Sequence, residues 1–376
     1  MTTMPATIFT RRFASNYLST LAFIGLTYWL ITRVSSFHQM FLQSQWDLGI
    51  FGIHRVITIH GLMIALIALY ALVLVPYYGA WPWMRSSAFT FLQGLWFAWR
   101  RRRRRKPFAK HGPMSLPLSF RLSPGARQAG LLLLLKFFFA PLMINWCLGH
   151  FATLSGSLVQ FAGGLQQGLG GRALFDTAIF WAAFQAILFI DTLLFTLGYI
   201  VEVPALHNRI RSVDPTFFGW FICLACYPPF NEFTGNFLPW QSNDFPYFTN
   251  DYAHFAVNIC ILLALAIFSW ASLALGFKAS NLTNRGIVSR GPYRVVRHPA
   301  YAAKNLAWWL GALPSMAMVF GTNDWRAIAY TFVSLIGWSA IYVLRAITEE
   351  RHLLMIDNGY REYARQVRWR FIPGVW

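Results

Sequence analysis

The sequence predicts an all-α fold, a polytopic transmembrane helical bundle of about eight spans with a C-terminal cytoplasmic element. Composition is the first observation: 56% of the 376 residues are hydrophobic, only 12% are charged, and the mean hydropathy is +0.44. Soluble domains are usually about a quarter charged. The second observation is a series of apolar segments of membrane-spanning length, and the third is the distribution of positive charge between them.

Eight apolar segments have about the length that a bilayer core requires. They are Tyr17–Val34, Ile57–Tyr77, Ala129–Phe151, Ala173–Val201, Thr216–Phe230, Phe255–Phe277, Ala300–Phe320 and Ala327–Leu344. The fifth segment is short and ends in Tyr227-Pro228-Pro229. A re-entrant or broken helix is therefore an alternative to a clean span at that point.

The formal charge of +19 is compatible with nucleic acid or with an anionic membrane face, and the apolar content favours the membrane. With the N-terminus inside, eight spans put every large basic cluster on one side, including the run Arg100–Arg105 and the C-terminal tail. This predicts an integral membrane protein with both termini cytoplasmic. A bacterial inner membrane is favoured because no ER-retrieval tail is present. The arginine run is interpreted as a topology determinant that contacts anionic lipids, and no nucleic-acid partner is predicted.

A basic and aromatic stretch, "RGPYRVVRHPAY", lies at the cytoplasmic entrance to the seventh segment. Pro299 suits the first turn of a helix, where a missing N–H costs nothing. Arg297 and His298 then precede a helix N-terminus, whose free amides favour a carboxylate or phosphate. The stretch therefore predicts an anion-binding element with aromatic walls, Tyr293 and Tyr301.

The eighth segment returns to the same side and ends in "RAITEERHLL". The turn before it is short, so the two helices are expected to pack antiparallel. This brings the acidic pair Glu349-Glu350 to the membrane face that carries His298. Arg345 lies four residues before Glu349, hence on the same helix face. The pocket predicted here suits a zwitterion, since the carboxylates can meet an ammonium or ribose hydroxyls and the cations a carboxylate.

These motifs, with the later "NGYREYARQVRWRFIPG", resemble the C-terminal core of the isoprenylcysteine carboxyl methyltransferase and phospholipid methyltransferase superfamily. The resemblance covers the chain from Asn284 onward. It implies an integral membrane enzyme that uses S-adenosylmethionine as cofactor. No motif of the family is found in the first 280 residues, although eight spans is also the number in the eukaryotic carboxyl methyltransferases.

The resemblance also assigns roles to residues of this sequence. It places Arg345 where the carboxyl methyltransferases hold the substrate carboxylate, and with Glu349 it is the expected catalytic residue. One departure is Lys304-Asn305, where relatives commonly have apolar or small residues, and it leaves the pocket shape and the substrate open. The expected cofactor-binding residues are Tyr293, Arg297, His298, Pro299, Tyr301, Glu349, Glu350, Tyr360 and Tyr363.

The function expected from these residues is methyl transfer to a lipophilic acceptor. A carboxylate such as a prenylcysteine-type, isoprenoid or lipid group needs only a cation to position it, for which Arg345 is the candidate. An amine acceptor would need a base, and Glu349 or Glu350 would serve. A first alternative is an NADPH-dependent sterol-type C=C reductase, because such enzymes share an R-H-P-x-Y-like element. The acidic pair is a poor neighbour for a 2′-phosphate and favours the methyltransferase.

A second alternative is a non-enzymatic transporter or scaffold, suggested by the intramembrane carboxylate Asp191. A structural pairing of Asp191 with Gln185 or Asn258 is the competing interpretation. Asn231 and Glu232, after the diproline, are predicted to bind substrate along an acceptor tunnel. No metal site is predicted. Two domains are predicted, residues 1–280 as the transmembrane bundle for substrate access and 281–376 as the methyltransferase core. Membrane lipids and a lipophilic or lipidated substrate are the expected partners, with the oligomeric state open.

Overall fold

A computed structural model describes residues 11–47, 56–81, 83–104, 122–356 and 359–375. The described chain is almost entirely helical, as the composition predicts. Six of its helices are long and apolar enough to cross a membrane. They are Arg11–Val34, Ile59–Ala80, Pro124–Gln166, Gly171–Ile200, Asp251–Lys278 and Trp325–Leu354. The protein is therefore a polytopic membrane bundle.

The packing divides the chain into two units, residues 1–46 with 56–138 and residues 47–55 with 139–376. The predicted boundary at residue 280 stays a prediction. In unit 1, Asn16 holds two helices together because its side chain donates to Met84 O and accepts from Ser86 N. Its elements are α1 (Arg11–Val34), α2 (Ser36–Gln43), β1 (Gln45–Asp47), β2 (Val56–Thr58), α3 (Ile59–Ala80), α4 (Ser87–Arg104) and the start of α5 (Pro124–Gln166).

The arginine run continues α4 rather than forming a separate loop. Arg100 lies 5.0 Å from the ring centre of Trp96, and Arg103 lies 4.0 Å from that of Trp99. These pairs combine an aromatic ring and a cation on one helix, as is common at membrane interfaces. The part of the run beyond Arg104 lies outside the described residues.

Unit 2 contains the remaining elements, and their order along the chain sets the direction of each helix. They are the rest of α5, α6 (Gly171–Leu174), a π-helical turn (Phe175–Ile179), α7 (Phe180–Ile200), β3 (Ser212–Val213), α8 (Phe217–Leu224), α9 (Phe230–Phe237), α10 (Asp251–Leu275), β4 (Thr283–Asn284), α11 (Pro299–Gly311), α12 (Leu313–Gly321), α13 (Trp325–Leu354) and α14 (Tyr360–Gln366). Short 3-10 turns occupy Pro204–Leu206, Gly276–Lys278 and Gly291–Arg294.

One end of unit 2 carries the segments that follow α7 and α10. There β3 pairs antiparallel with β4, with Ser212 opposite Asn284. Arg285 reinforces this end, since it donates to the carbonyls of Asn208 at 2.6 Å and Gly198 at 2.5 Å. Helix α11 begins and α13 ends at this same end, which we call the His298 end.

The fifth and seventh predicted spans are interrupted helices, which corrects the prediction of two continuous spans. Around the Pro228-Pro229 pair, α8 and α9 have 8 residues each. A helix of that length is about 12 Å long and cannot cross the roughly 30 Å hydrocarbon core alone. Helix α11 ends at Gly311, and α12 contains Pro314 in its first turn. Proline has no N–H for a hydrogen bond one turn back, so the helix breaks there.

Gly198 is required where α7 meets the segment after α10. A Cβ at this position would lie 2.0 Å from the carbonyl oxygen of Ala279. We expect Gly198→Ala to destabilise the protein by about 1–3 kcal/mol, because backbone on both sides must move apart. Thermal unfolding of detergent-purified protein measures this effect.

The matched control for Gly198 is Gly156→Ala in α5. No atom lies within 4 Å of a Cβ built there, and alanine favours helix by about 1 kcal/mol over glycine. An unfolding temperature for Gly198→Ala equal to or above that of Gly156→Ala would contradict the close approach.

Candidate functional site

A cavity of about 240 Å³ opens inside unit 2. Its walls come from α5, α7, α10, α11, α13 and α14, together with the β3 and β4 segments. At the His298 end it is lined by Tyr293, His298 and Tyr301, and further in by Arg345 and Asp191. A single cavity therefore connects most of the residues that the sequence singled out.

The start of α11 has the geometry that "RGPYRVVRHPAY" predicts. Gly291 has φ +58°, which glycine adopts without strain, and it opens the turn Gly291–Arg294. Pro299 occupies the first helical turn, and the side chain of His298 does not cap it. The first amides of a helix lack intrahelical acceptors, and Ala300 in that turn lines the cavity.

The two adjacent glutamates at the end of α13 have different environments. Glu350 is buried, with 8% of its side chain exposed, whereas 27% of the Glu349 side chain is exposed. Glu349 accepts a hydrogen bond from the Tyr301 hydroxyl and lies 3.9 Å from Nδ1 of His298. It also lines the cavity. Glu349 is therefore the carboxylate that a bound molecule can reach.

Glu350 is the centre of an ionic cluster with three partners. Arg297 Nε donates to its Oε1 at 2.9 Å, Arg370 Nη2 lies 3.1 Å from its Oε2, and Nε2 of His298 lies 3.1 Å from Oε1. Burial and these contacts together commit its carboxylate. We therefore interpret Glu350 as a residue that positions α11 and the tail, and the sequence-based assignment of Glu350 to cofactor contact stays a prediction.

The tail is held across the His298 end by backbone hydrogen bonds. The amides of Arg297 and His298 donate to the carbonyls of Trp369 and Arg370 at 2.9 and 2.8 Å. Nη1 of Arg297 also donates to the carbonyls of Val367 and Arg368, each at 3.0 Å. The guanidinium of Arg297 is thus engaged with the tail as well as with the Glu350 cluster.

Tyr360 and Tyr363 of α14 bring the tail helix to the cavity. Their ring centres are 5.8 Å apart, and the Tyr363 hydroxyl donates to the carbonyl of Tyr293 at 2.8 Å. Burial raises the pKa of Tyr293, Tyr360 and Tyr363 above the ordinary phenol value. The three hydroxyls therefore stay protonated at neutral pH.

Arg345 lies one helical turn deeper than Glu349 and is only 2% exposed. Its guanidinium carbon lies 5.0 to 5.5 Å from the ring centres of Tyr301, Tyr342 and Tyr227. Nη2 donates to Asn281 Oδ1 at 2.9 Å, while Nε has no hydrogen-bond partner among the described residues. A buried cation with an unused donor at a cavity wall can bind an anion.

Asn231 and Glu232 are the predicted residues that the structure does not bring to the cavity. Both are on α9, Glu232 is exposed, and neither lines the cavity. Cys226 and Tyr227, which precede the diproline, line it instead. The interruption of the helix thus positions the residues before the prolines at the cavity and the residues after them elsewhere.

Four cavity-lining polar residues were not identified from the sequence as site residues: Lys304, His352, Asp214 and Asn281. Lys304 is one turn after Tyr301 on α11, so helical spacing from a predicted site residue was an available signal. His352 follows the glutamate pair and contacts Ser212 at 2.9 Å. Asp214 and Asn281 lie in connecting segments, for which no periodicity exists.

Asp191 has a different partner from those considered in the sequence. It accepts a hydrogen bond from Ser272 on α10. Gln185 contacts His150 at 2.8 Å, and Asn258 donates to the carbonyls of Pro246 and His254. Pairing of Asp191 with a neighbouring helix is thus observed, and its carboxylate also lines the deep part of the cavity.

The fold and this cavity define a polytopic membrane protein with an internal site that joins polar and aromatic walls. Comparison with protein families gives one match, in which residues 241–367 resemble the family described as "Protein of unknown function (DUF1295)". The matched region includes α10 to α14, and its description names no activity. Searches of curated proteins and of solved structures each gave no match.

Proposed function

We propose that this chain is an integral membrane methyltransferase that uses S-adenosylmethionine and acts on a lipophilic acceptor, most plausibly a carboxylate. One observation carries the proposal. A single cavity joins a partly exposed carboxylate, Glu349, to a buried cation, Arg345, one turn deeper on the same helix. A zwitterionic cofactor and an anionic acceptor would need these opposite charges side by side.

The residues at the His298 end fit a zwitterionic nucleoside. Glu349 offers a carboxylate for an ammonium or for ribose hydroxyls. The first-turn amides at Ala300 are suited to a carboxylate, because a helix N-terminus favours negative charge. Tyr293 and Tyr301 supply aromatic walls, and the tail residues Tyr360 and Tyr363 limit access of water. The Glu350 cluster fixes the elements that carry all of these groups.

When bound, S-adenosylmethionine supplies an activated methyl group, and the transfer forms one O–C bond as the S–C bond breaks. A carboxylate acceptor needs no base, so the work of the protein is orientation and removal of water. Arg345 would hold the acceptor carboxylate from one side, with the rings of Tyr227, Tyr301 and Tyr342 excluding solvent. Alignment of this kind is worth about 7–11 kcal/mol in well-oriented systems.

The proposal includes an orientation in the membrane. The His298 end would face the cytoplasm, where the cofactor is made, and both termini would lie on that side of a bacterial inner membrane. Six unbroken and two interrupted crossings give the eight that this topology requires. The lipid acceptor would enter from the bilayer, since the deep end of the cavity lies among the helices.

Calorimetric titration of S-adenosylmethionine into detergent-purified protein tests the function. We expect binding by the unaltered protein and an affinity loss of about 10- to 100-fold in Glu349→Gln, since a charge-assisted hydrogen bond contributes about 1.5–3 kcal/mol. Glutamine keeps the shape and can still accept from Tyr301.

Glu362→Gln is the matched control, because Glu362 is 63% exposed on α14 and is expected to leave binding unchanged. A protein that does not bind S-adenosylmethionine would refute the proposal. A titration with NADPH in parallel distinguishes the reductase alternative, which predicts a nicotinamide fluorescence change.

A further inference from the structure

Two cations line the part of the cavity beyond Glu349. Arg345 is on α13, and Lys304 is on α11 one turn after Tyr301. Both lie beside the same ring, with the Arg345 guanidinium 5.1 Å and the Lys304 ammonium 6.0 Å from the centre of Tyr342. The Lys304 ammonium also lies 5.4 Å from the Phe268 ring centre. The two charges thus share one aromatic wall.

Neither cation is neutralised by a carboxylate in contact with it. Among the described residues, no acidic group lies within salt-bridge distance of Lys304 or of Arg345. The polar partner of Arg345 is the neutral amide of Asn281, and Nε of Arg345 is unpaired. Asp191, the carboxylate of this region, takes its hydrogen bond from Ser272.

Like charges held together away from water repel each other and are poorly solvated. A buried cation normally has a matching anion, and removal of one partner of such a pair is strongly unfavourable. Two neighbouring cations with one unused donor between them are therefore suited to a ligand that carries more than one negative charge. The resemblance to the carboxyl methyltransferases does not account for Lys304, where relatives commonly have apolar or small residues.

We propose that the acceptor is a lipid with a dianionic headgroup, and that Lys304 is the residue that selects it. This inference rests on the proposed methyl transfer. One carboxylate of the headgroup lies at Arg345 and forms the O–C bond to the methyl group, while the S–C electron pair stays on sulfur. The second anionic group lies at Lys304. The product keeps one negative charge, and no proton has to move.

Binding of three probes that share one C12 chain tests this directly. The probes are dodecenylsuccinic acid, its monoamide and its diamide, which carry two, one and no negative charges at similar shape. Calorimetric titration in detergent, at a pH where both carboxyl groups are ionised, gives the three dissociation constants. We expect the diacid to bind about tenfold or more tightly than the monoamide, and the monoamide more tightly than the diamide.

Variants at Lys304 assign the preference to this side chain. Lys304→Met should bind the diacid and the monoamide within about threefold of each other, because the second charge has lost its partner. Lys304→Arg should keep the preference for the diacid. Lys136→Met, at a lysine on α5 outside the cavity lining, is the control and should match the unaltered protein.

The inference is overturned if the unaltered protein binds diacid and monoamide equally, or binds none of the three probes. It is also overturned if Lys304→Met weakens all three probes to the same degree. The test needs no turnover, so it is separable from the proposed function. Titration of S-adenosylmethionine into the same samples should give equal affinities for the unaltered protein and Lys304→Met. If that cofactor does not bind while the diacid preference persists, the methyltransferase proposal fails and the anion site stands.

Discussion

Arg345→Gln is expected to lower methyl transfer to the lipid fraction by about 100-fold or more. Removal of one member of a buried, hydrogen-bonded charge pair costs about 2–5 kcal/mol, and the acceptor carboxylate would lose its positioning cation. Glutamine can still donate to Asn281, so the local packing among the three tyrosine rings is largely kept. The measurement is transfer of labelled methyl from S-adenosylmethionine into organic-extractable lipid, with membranes that contain the protein.

The same helix supplies the control for this experiment. Arg326, in the first turn of α13, contacts the ring of Trp325 at 5.5 Å and is exposed. Arg326→Gln should retain activity within about twofold, because surface changes of this kind alter little. Affinity for S-adenosylmethionine should stay close to normal in Arg345→Gln. A parallel loss of cofactor binding would mean that Arg345 serves the cofactor rather than the acceptor.

Glu350→Gln is expected to destabilise the protein by about 3 kcal/mol. The change leaves the guanidinium groups of Arg297 and Arg370 facing each other beside His298, without the carboxylate that now separates them. Because these groups join α13, the start of α11 and the tail, the tail should detach first. Thermal unfolding in detergent and the rate of proteolysis within residues 367–375 measure the two effects.

The adjacent glutamate and an exposed one complete this set of variants. Glu349→Gln should leave the unfolding temperature nearly unchanged while it weakens cofactor binding. Glu362→Gln removes an exposed pair with Arg365, which is expected to contribute less than about 1 kcal/mol. If Glu350→Gln and Glu349→Gln had the same effects on stability, the division of roles between the two carboxylates would be wrong.

The sequence was sufficient for the parts of the fold that depend on local pattern. Long apolar segments predict long helices, and the proline after His298 predicts the start of α11. The short turn before α13 predicts that the helix ends meet, and His298 is indeed in contact with the glutamate pair. These features need only helix length, helix period and proline chemistry.

The parts that were missed depend on which direction a side chain takes in the packed bundle. Successive residues on a helix point about 100° apart, so a glutamate pair has one member toward the tail and one toward the cavity, and the order is a tertiary property. The diproline predicted a break near residue 228 but not which side of the break would reach the cavity, so Asn231 and Glu232 were chosen over Tyr227. Lys304 was visible only as a departure from a motif.

The tail contacts have a practical consequence for how molecules of this protein are judged to be intact. The six long helices all end before residue 355, whereas the carbonyls that receive the Arg297 and His298 amides belong to residues 369 and 370. A chain shortened by ten residues would still carry every long hydrophobic helix and would be sorted to the membrane, yet its nucleoside pocket would be unlatched. Correct trafficking and good yield are therefore no measure of competence in this molecule, and ligand affinity has to be the criterion.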